Sequence, residues 1–121
     1  MKNSRFFSCR SIFIARANSI VEQLPRGRGY LVDQLQRAAL SIVLNIAEGA
    51  GKFSPDDKAA FYARARGSTT ESAAVLDVCL RLKLIEAGVC SENTAILERV
   101  SQMLTKLIKA RRDASLPRGQ P

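Results

Sequence analysis

By residue type, Glu48 and Glu71 are the two carboxylates of this chain that could work as an acid–base pair. Cys9, Cys79 and Cys90 are its candidate nucleophiles and metal ligands. Acid–base catalysis requires both groups within hydrogen-bond reach of the same substrate. A serine or cysteine nucleophile requires a neighbouring base, most often histidine or lysine. None of the 121 residues is a histidine. That removes the Glu-x-x-His element with which helical bundles hold pairs of metal ions. The three cysteines form no CxxC pair and are scattered through the chain, so neither a zinc site nor a disulfide framework is expected, and free thiols suit a reducing cytoplasm. No glycine-rich phosphate loop follows a strand. The expectation is a chain with no catalytic residues, no metal and no cofactor, in which Glu48 and Glu71 have a structural role.

The remaining chemistry is that of positive charge. The formal net charge is +8 and the isoelectric point lies near 10.0. Residues 1–30 have a net charge of +5, residues 31–105 of −1 and residues 106–121 of +4. Basic ends around a near-neutral middle point to a polyanion, most often nucleic acid. The candidate phosphate ligands are Arg26 and Arg28 in one segment, with Lys106, Lys109, Arg111 and Arg112 in the other. Aromatic residues able to stack on bases are few. Outside the first helix they are Tyr30, Phe53 and Tyr62, so sequence-specific reading of a single strand is not expected.

Four helices must position these groups. Punctuation places them at about 6–24, 30–48, 55–87 and 92–112, in a single domain covering 1–121. Pro25-Arg26-Gly27-Arg28-Gly29 breaks the first from the second, and Gly49-Ala50-Gly51 offers the second a left-handed C-terminal cap. Ser54, followed by Pro55, Asp56 and Asp57, is the best helix start in the chain. Gly88 is expected to close the third helix and Ser91 to cap the fourth, and the tail 117–121 is expected to be loose. No stretch reaches the roughly 18 apolar residues of a membrane span. The fold class is all-α, an antiparallel up-and-down four-helix bundle.

The first and fourth helices carry apolar stripes of double width: Phe6, Phe13 and Ile20 beside Phe7, Ile14 and Val21, and Leu97, Val100, Leu104 and Leu107 beside Ile96, Met103 and Ile108. Such a helix is buried on two sides or packs on another subunit, and a homo-oligomer is the favoured reading. On the second helix a polar face gathers Gln34, Arg37, Ser41, Asn45 and Glu48. On the third, Glu71 falls within a face formed by Phe61, Ala65, Ser68, Ser72, Val75, Cys79 and Leu82. A glutamate there must be paired, and Arg37 or Arg64 could serve. Gly67 in mid-helix suggests a closely approaching backbone.

The run Asp33-Gln34-Leu35-Gln36-Arg37-Ala38-Ala39-Leu40-Ser41-Ile42-Val43-Leu44-Asn45-Ile46-Ala47-Glu48-Gly49, followed by Phe61 and by Ala65-Arg66-Gly67-Ser68-Thr69-Thr70-Glu71, resembles the small bacterial four-helix-bundle family of 23S rRNA intervening-sequence proteins. Leu24-Pro25 and Gly51-Lys52-Phe53-Ser54 also fit, and the resemblance extends over roughly residues 20–110, with the first helix poorly matched. It implies an antiparallel bundle assembling as a ring-like homopentamer. The fold it implies is similar to that of the accessory variability proteins of diversity-generating retroelements, which bind nucleic acid and a reverse transcriptase. The motif residues Arg37, Ser41, Asn45, Glu48, Ser68 and Glu71 then look like a packing and polar-network signature. Two functions are expected to compete. One is a sequence-nonspecific RNA- or DNA-binding accessory factor. The other is an oligomeric module for a protein partner such as a reverse transcriptase or a ribosome-associated factor.

Overall fold

The structure is a computed structural model and describes residues 4–116, with side chains from residue 11 onward. Phe6, Phe7, Cys9 and the tail 117–121 therefore lie outside the described side chains. Four helices follow one another: α1 (Ser4–Gln23), α2 (Gly29–Gly51), α3 (Pro55–Arg81) and α4 (Ala87–Ser115). Each packs on its sequence neighbours and α1 closes on α4, while among the described residues neither diagonal pair brings its backbones together, which gives the square section of an up-and-down bundle.

The core is one continuous apolar column. Phe13, Leu35, Ile42, Leu76, Val100 and Leu104 are its largest fully buried members apart from polar residues. Among the described side chains, most of the double-width stripes are satisfied within a single chain, since α1 lies between α2 and α4, and α4 between α1 and α3. Val21 and Ile96, members of the second seams, are buried, and Met103 and Leu107 pack against the core from its margin. Exposed apolar side chains include Ile12 of α1, Leu40 and Leu44 of α2 and Val78 of α3, and Phe53 between α2 and α3 is fully exposed.

Helix α3 begins as expected, with Ser54 Oγ accepting from the Asp57 amide at 3.0 Å and Pro55 in the first turn. Its end differs from the expectation. The helix stops at Arg81, and Lys83 adopts φ +60° in the connection to α4. The Leu84 amide bonds the Cys79 carbonyl and the Lys83 amide bonds the Leu80 carbonyl, both at 2.9 Å, which closes a Schellman-type C-terminus on a lysine. Gly88, expected to be the stop, lies inside α4, which starts at Ala87 rather than after Ser91. The reason is packing. Leu84 and Ile85 turn inward against the core, so the chain must reverse before them.

The α2 terminus differs too. Gly49 and Gly51 are both helical, and Lys52 continues in extended backbone. The last carbonyls are met by a side chain from α3, as Lys58 Nζ donates to Gly49 O (3.3 Å) and Ala50 O (3.0 Å). Gly67 is exposed, and a Cβ built there meets nothing within 4 Å, so no backbone of this chain approaches it. Gly67→Ala is therefore expected to raise stability by about 1 kcal/mol through helix propensity alone. Thermal or urea unfolding would measure it, and a loss of stability would contradict the open space around this residue.

Candidate nucleic-acid interface

The polar signature resolves into a small half-buried joint and a set of surface charges. Ser41 Oγ of α2 accepts from Asn45 Nδ2 at 2.9 Å and from Ser68 Oγ of α3 at 2.8 Å, while Asn45 Nδ2 also reaches the Ser41 carbonyl at 2.9 Å. One turn on, the fully buried Ser72 donates to the Ser68 carbonyl at 2.9 Å. Small hydroxyl-bearing residues let α2 and α3 approach closely here while their polar atoms remain satisfied.

Arg37, Glu48 and Glu71 do not join this joint, and the expectation of a buried Glu71 paired with Arg37 or Arg64 is overturned. All four residues are exposed, and no ion pair links Glu71 to either arginine among the described residues. Glu48 instead meets Lys52 at 3.8 Å. The cause is a rotation of the buried face. Tyr62, Thr69 and Leu76 belong to the α3 core, whereas Phe61 and Ser68 sit at its margin and Leu82 is exposed. Centring the face on the latter three turns it far enough around the helix to include Glu71. Glu48 and Glu71 also lie on opposite sides of the Ser41–Ser68 contact, about 15 Å apart along the helices, too far to share a proton.

Phe61 carries the cationic part of the α2–α3 surface. Lys52 Nζ lies 5.0 Å and the Arg64 guanidinium carbon 4.6 Å from its ring centroid, so two bases are held around one half-buried aromatic. Of the three candidate stacking residues, Tyr62 is buried in the core and Tyr30 Oη accepts from Arg28 Nη1 at 3.1 Å. Phe53 remains wholly exposed.

The structure does not bring the two expected groups of phosphate ligands together within one chain. Arg26 and Arg28 occupy the α1–α2 turn, at the end of the bundle where α4 begins. Lys106, Lys109, Arg111 and Arg112 occupy the last turns of α4, on the order of 30 Å away by helix rise. The end that carries Lys106 to Arg112 also receives the first half of α3, because Arg66 Nη1 donates to Thr105 Oγ1 at 3.2 Å. Arg66 was absent from the expected ligands, and only the antiparallel register of α3 against α4 reveals its position. Lys106, Lys109 and Arg112 are exposed and form no ion pair among the described residues. Arg111 differs. It is half-buried, and its Nε is enclosed without a hydrogen-bond partner among the described residues, which makes it partly a packing residue.

Cys79 and Cys90 are buried free thiols, and burial together with the neighbouring Cys90 pushes the Cys79 thiol up from its ordinary value. Buried thiols of this kind are inert as nucleophiles. No described helix is long and apolar enough to cross a membrane.

A solved structure from Bacteroides thetaiotaomicron, described as a protein with unknown function from the S23 ribosomal protein family, matches this fold. Its TM-score is 0.79 at 19% identity, and the match covers 86% of this chain and 98% of that one. No curated protein matches the chain. The family described as 23S rRNA-intervening sequence protein matches residues 11–106, which takes in most of all four helices, and the chain belongs to that family.

Proposed function

We propose that this protein is a non-catalytic, oligomeric accessory factor that binds RNA or DNA through backbone phosphates without reading bases. The observation that carries this reading is the cluster of Lys106, Lys109 and Arg112, exposed and without ion pairs among the described residues, at the end of the bundle that also holds Arg66. Unpaired bases on a rigid helix suit phosphate contacts, and few exposed aromatics are available to stack on bases. The family description, which speaks of a sequence intervening in 23S rRNA, agrees with an RNA partner.

Assembly is part of the proposal, with five copies the number that the family resemblance implies. Its support is the apolar surface of α2 at Leu40 and Leu44, roughly half exposed, beside the open pocket of Leu44, Ala47 and Gly51. The same surface favours the second reading, an oligomeric module whose partner is a protein such as a reverse transcriptase. Two measurements on the full chain separate these readings. Retention on a random-sequence oligonucleotide is expected at low salt and to fall steeply as salt rises. Light scattering at micromolar concentration is expected to give several times the 13.3 kDa chain mass. A 13.3 kDa monomer would remove the oligomer, and no retention at low salt would leave only the protein-partner reading.

A further inference from the structure

We propose that Arg66 of α3 forms one wall of a sugar–phosphate track along the outer α3–α4 seam, opposite Lys109 and Arg112 of α4. This deepens the nucleic-acid reading above and rests on it.

The register of the seam is set by the bond from Arg66 Nη1 to Thr105 Oγ1. Thr105, Lys109 and Arg112 follow at four- and three-residue steps, which places them on one side of α4 in successive turns. All three are exposed. The threonine is itself fixed, because its hydroxyl donates to the Ser101 carbonyl at 2.9 Å and can only accept from the arginine. Arg66 is thus tethered by one of its five N–H donors, which leaves a positioned guanidinium for an anion. A tethered arginine loses little freedom when it takes up a phosphate, unlike a lysine free in solvent.

The rest of the seam fits a backbone better than a base. Beyond Thr105 it continues as a cleft of about 190 Å³ lined by Thr69, Thr70, Thr94 and Ser101 with Ala73 and Leu97, and without an aromatic side chain. Thr69 and Thr70 already donate to the Arg66 carbonyl, so their hydroxyls can only accept, and nothing in the cleft offers a stacking surface. Glu98 is the carboxylate among the residues that line the cleft, so the cations of the seam lie on the side of Arg66, Lys109 and Arg112. An acidic peptide could also meet these cations, but bases repeated in successive helical turns favour a regularly spaced anionic backbone.

The test uses the full-length protein and fluorescence anisotropy with a labelled 20-nucleotide random-sequence RNA, and the same sequence as DNA. At 0.1 M salt, Arg66→Gln is expected to weaken binding about fivefold and to reduce the slope of log affinity against log salt by roughly 0.7 for a lost single-strand contact. Arg66→Lys should retain most of the affinity. Lys83→Gln removes the same charge at the other end of the bundle and should change nothing, because that end lies well beyond the screening length of about 10 Å. Loss in both RNA and DNA supports recognition of the shared backbone, and loss in RNA alone supports recognition that includes the 2′-hydroxyl. If the wild-type protein binds neither oligonucleotide, the nucleic-acid reading fails and this inference with it. If it binds and neutralising Lys106, Lys109 and Arg112 weakens it while Arg66→Gln does not, the track is wrong and the reading stands. Competition by polyglutamate at equal charge as effective as by RNA would overturn the backbone assignment in favour of an acidic protein.

Discussion

Replacing Lys106, Lys109 and Arg112 together by glutamine is expected to weaken RNA binding about a hundredfold at 0.1 M salt, as three lost single-strand phosphate contacts remove roughly 0.7 logarithmic units each. The loss should be the same for unrelated sequences, because none of the three side chains is placed to read base edges. The salt dependence should flatten by about 2 in slope. Melting should be unchanged, since all three side chains are exposed and unpaired, and such charges contribute little to stability. Arg111 is left in place because its enclosed Nε makes its removal a packing change as well as a charge change. Binding that persists undiminished in a correctly folded triple variant would transfer the function to the exposed apolar surface of α2 and to a protein partner.

A second large effect is expected at Gly49→Val. A Cβ built on Gly49 lies 2.7 Å from Tyr62 Cε1, 2.9 Å from Tyr62 Cδ1 and 3.2 Å from Phe61 Cβ. Tyr62 is buried, so its ring cannot swing into solvent, and α2 and α3 must separate instead. Overpacking of this kind costs about 2–3 kcal/mol, more than the fraction of a kcal/mol that valine gains over glycine in helix propensity. The coupling is the sharper test. With Tyr62→Ala already present, Gly49→Val should cost little or become stabilising, and a double-mutant cycle by urea unfolding would read the difference. Equal costs in the two backgrounds would show that the aromatic ring is not what demands glycine. The closing glycine of the Asn-Ile-Ala-Glu-Gly run thus has a packing reason rather than a turn reason.

That distinction shows how far the residue order was readable. Four helices, their antiparallel order and the Ser54 cap were legible because each rests on local chemistry: apolar spacing, proline at a first turn, a side-chain oxygen before an amide. Ser41, Asn45 and Ser68 were singled out as a network only through the family resemblance and in company with Arg37, Glu48 and Glu71, and the bonds that join the three depend on how α2 docks against α3. Glu71 was misplaced because the third helix is amphipathic only weakly. Alanine and serine occur around most of it, so the buried face could be rotated by part of a turn without conflict in the pattern. The end of α3 was hidden because a lysine, not a glycine, takes the left-handed position, and Gly88 offered a false alternative. Arg66 was overlooked for a different reason. Its partner Thr105 lies 39 residues away, and only the docked register of two helices brings them together.

The square arrangement of helices, in which neighbouring pairs and not diagonal ones pack backbone to backbone among the described residues, also bears on how the chain reaches its native state. Every helix contact except that of α1 with α4 joins consecutive elements across a short connection. Loop-closure entropy for these contacts is small, and chains dominated by such local pairings fold within microseconds to milliseconds. The α1–α4 contact is the one that must close nearly the whole length of the polypeptide, so it gains most from α2, α3 and α4 being already in place. The contact of α1 with α4 accordingly carries the largest closure entropy in the bundle, and it lies away from the seam of Arg66, Lys109 and Arg112.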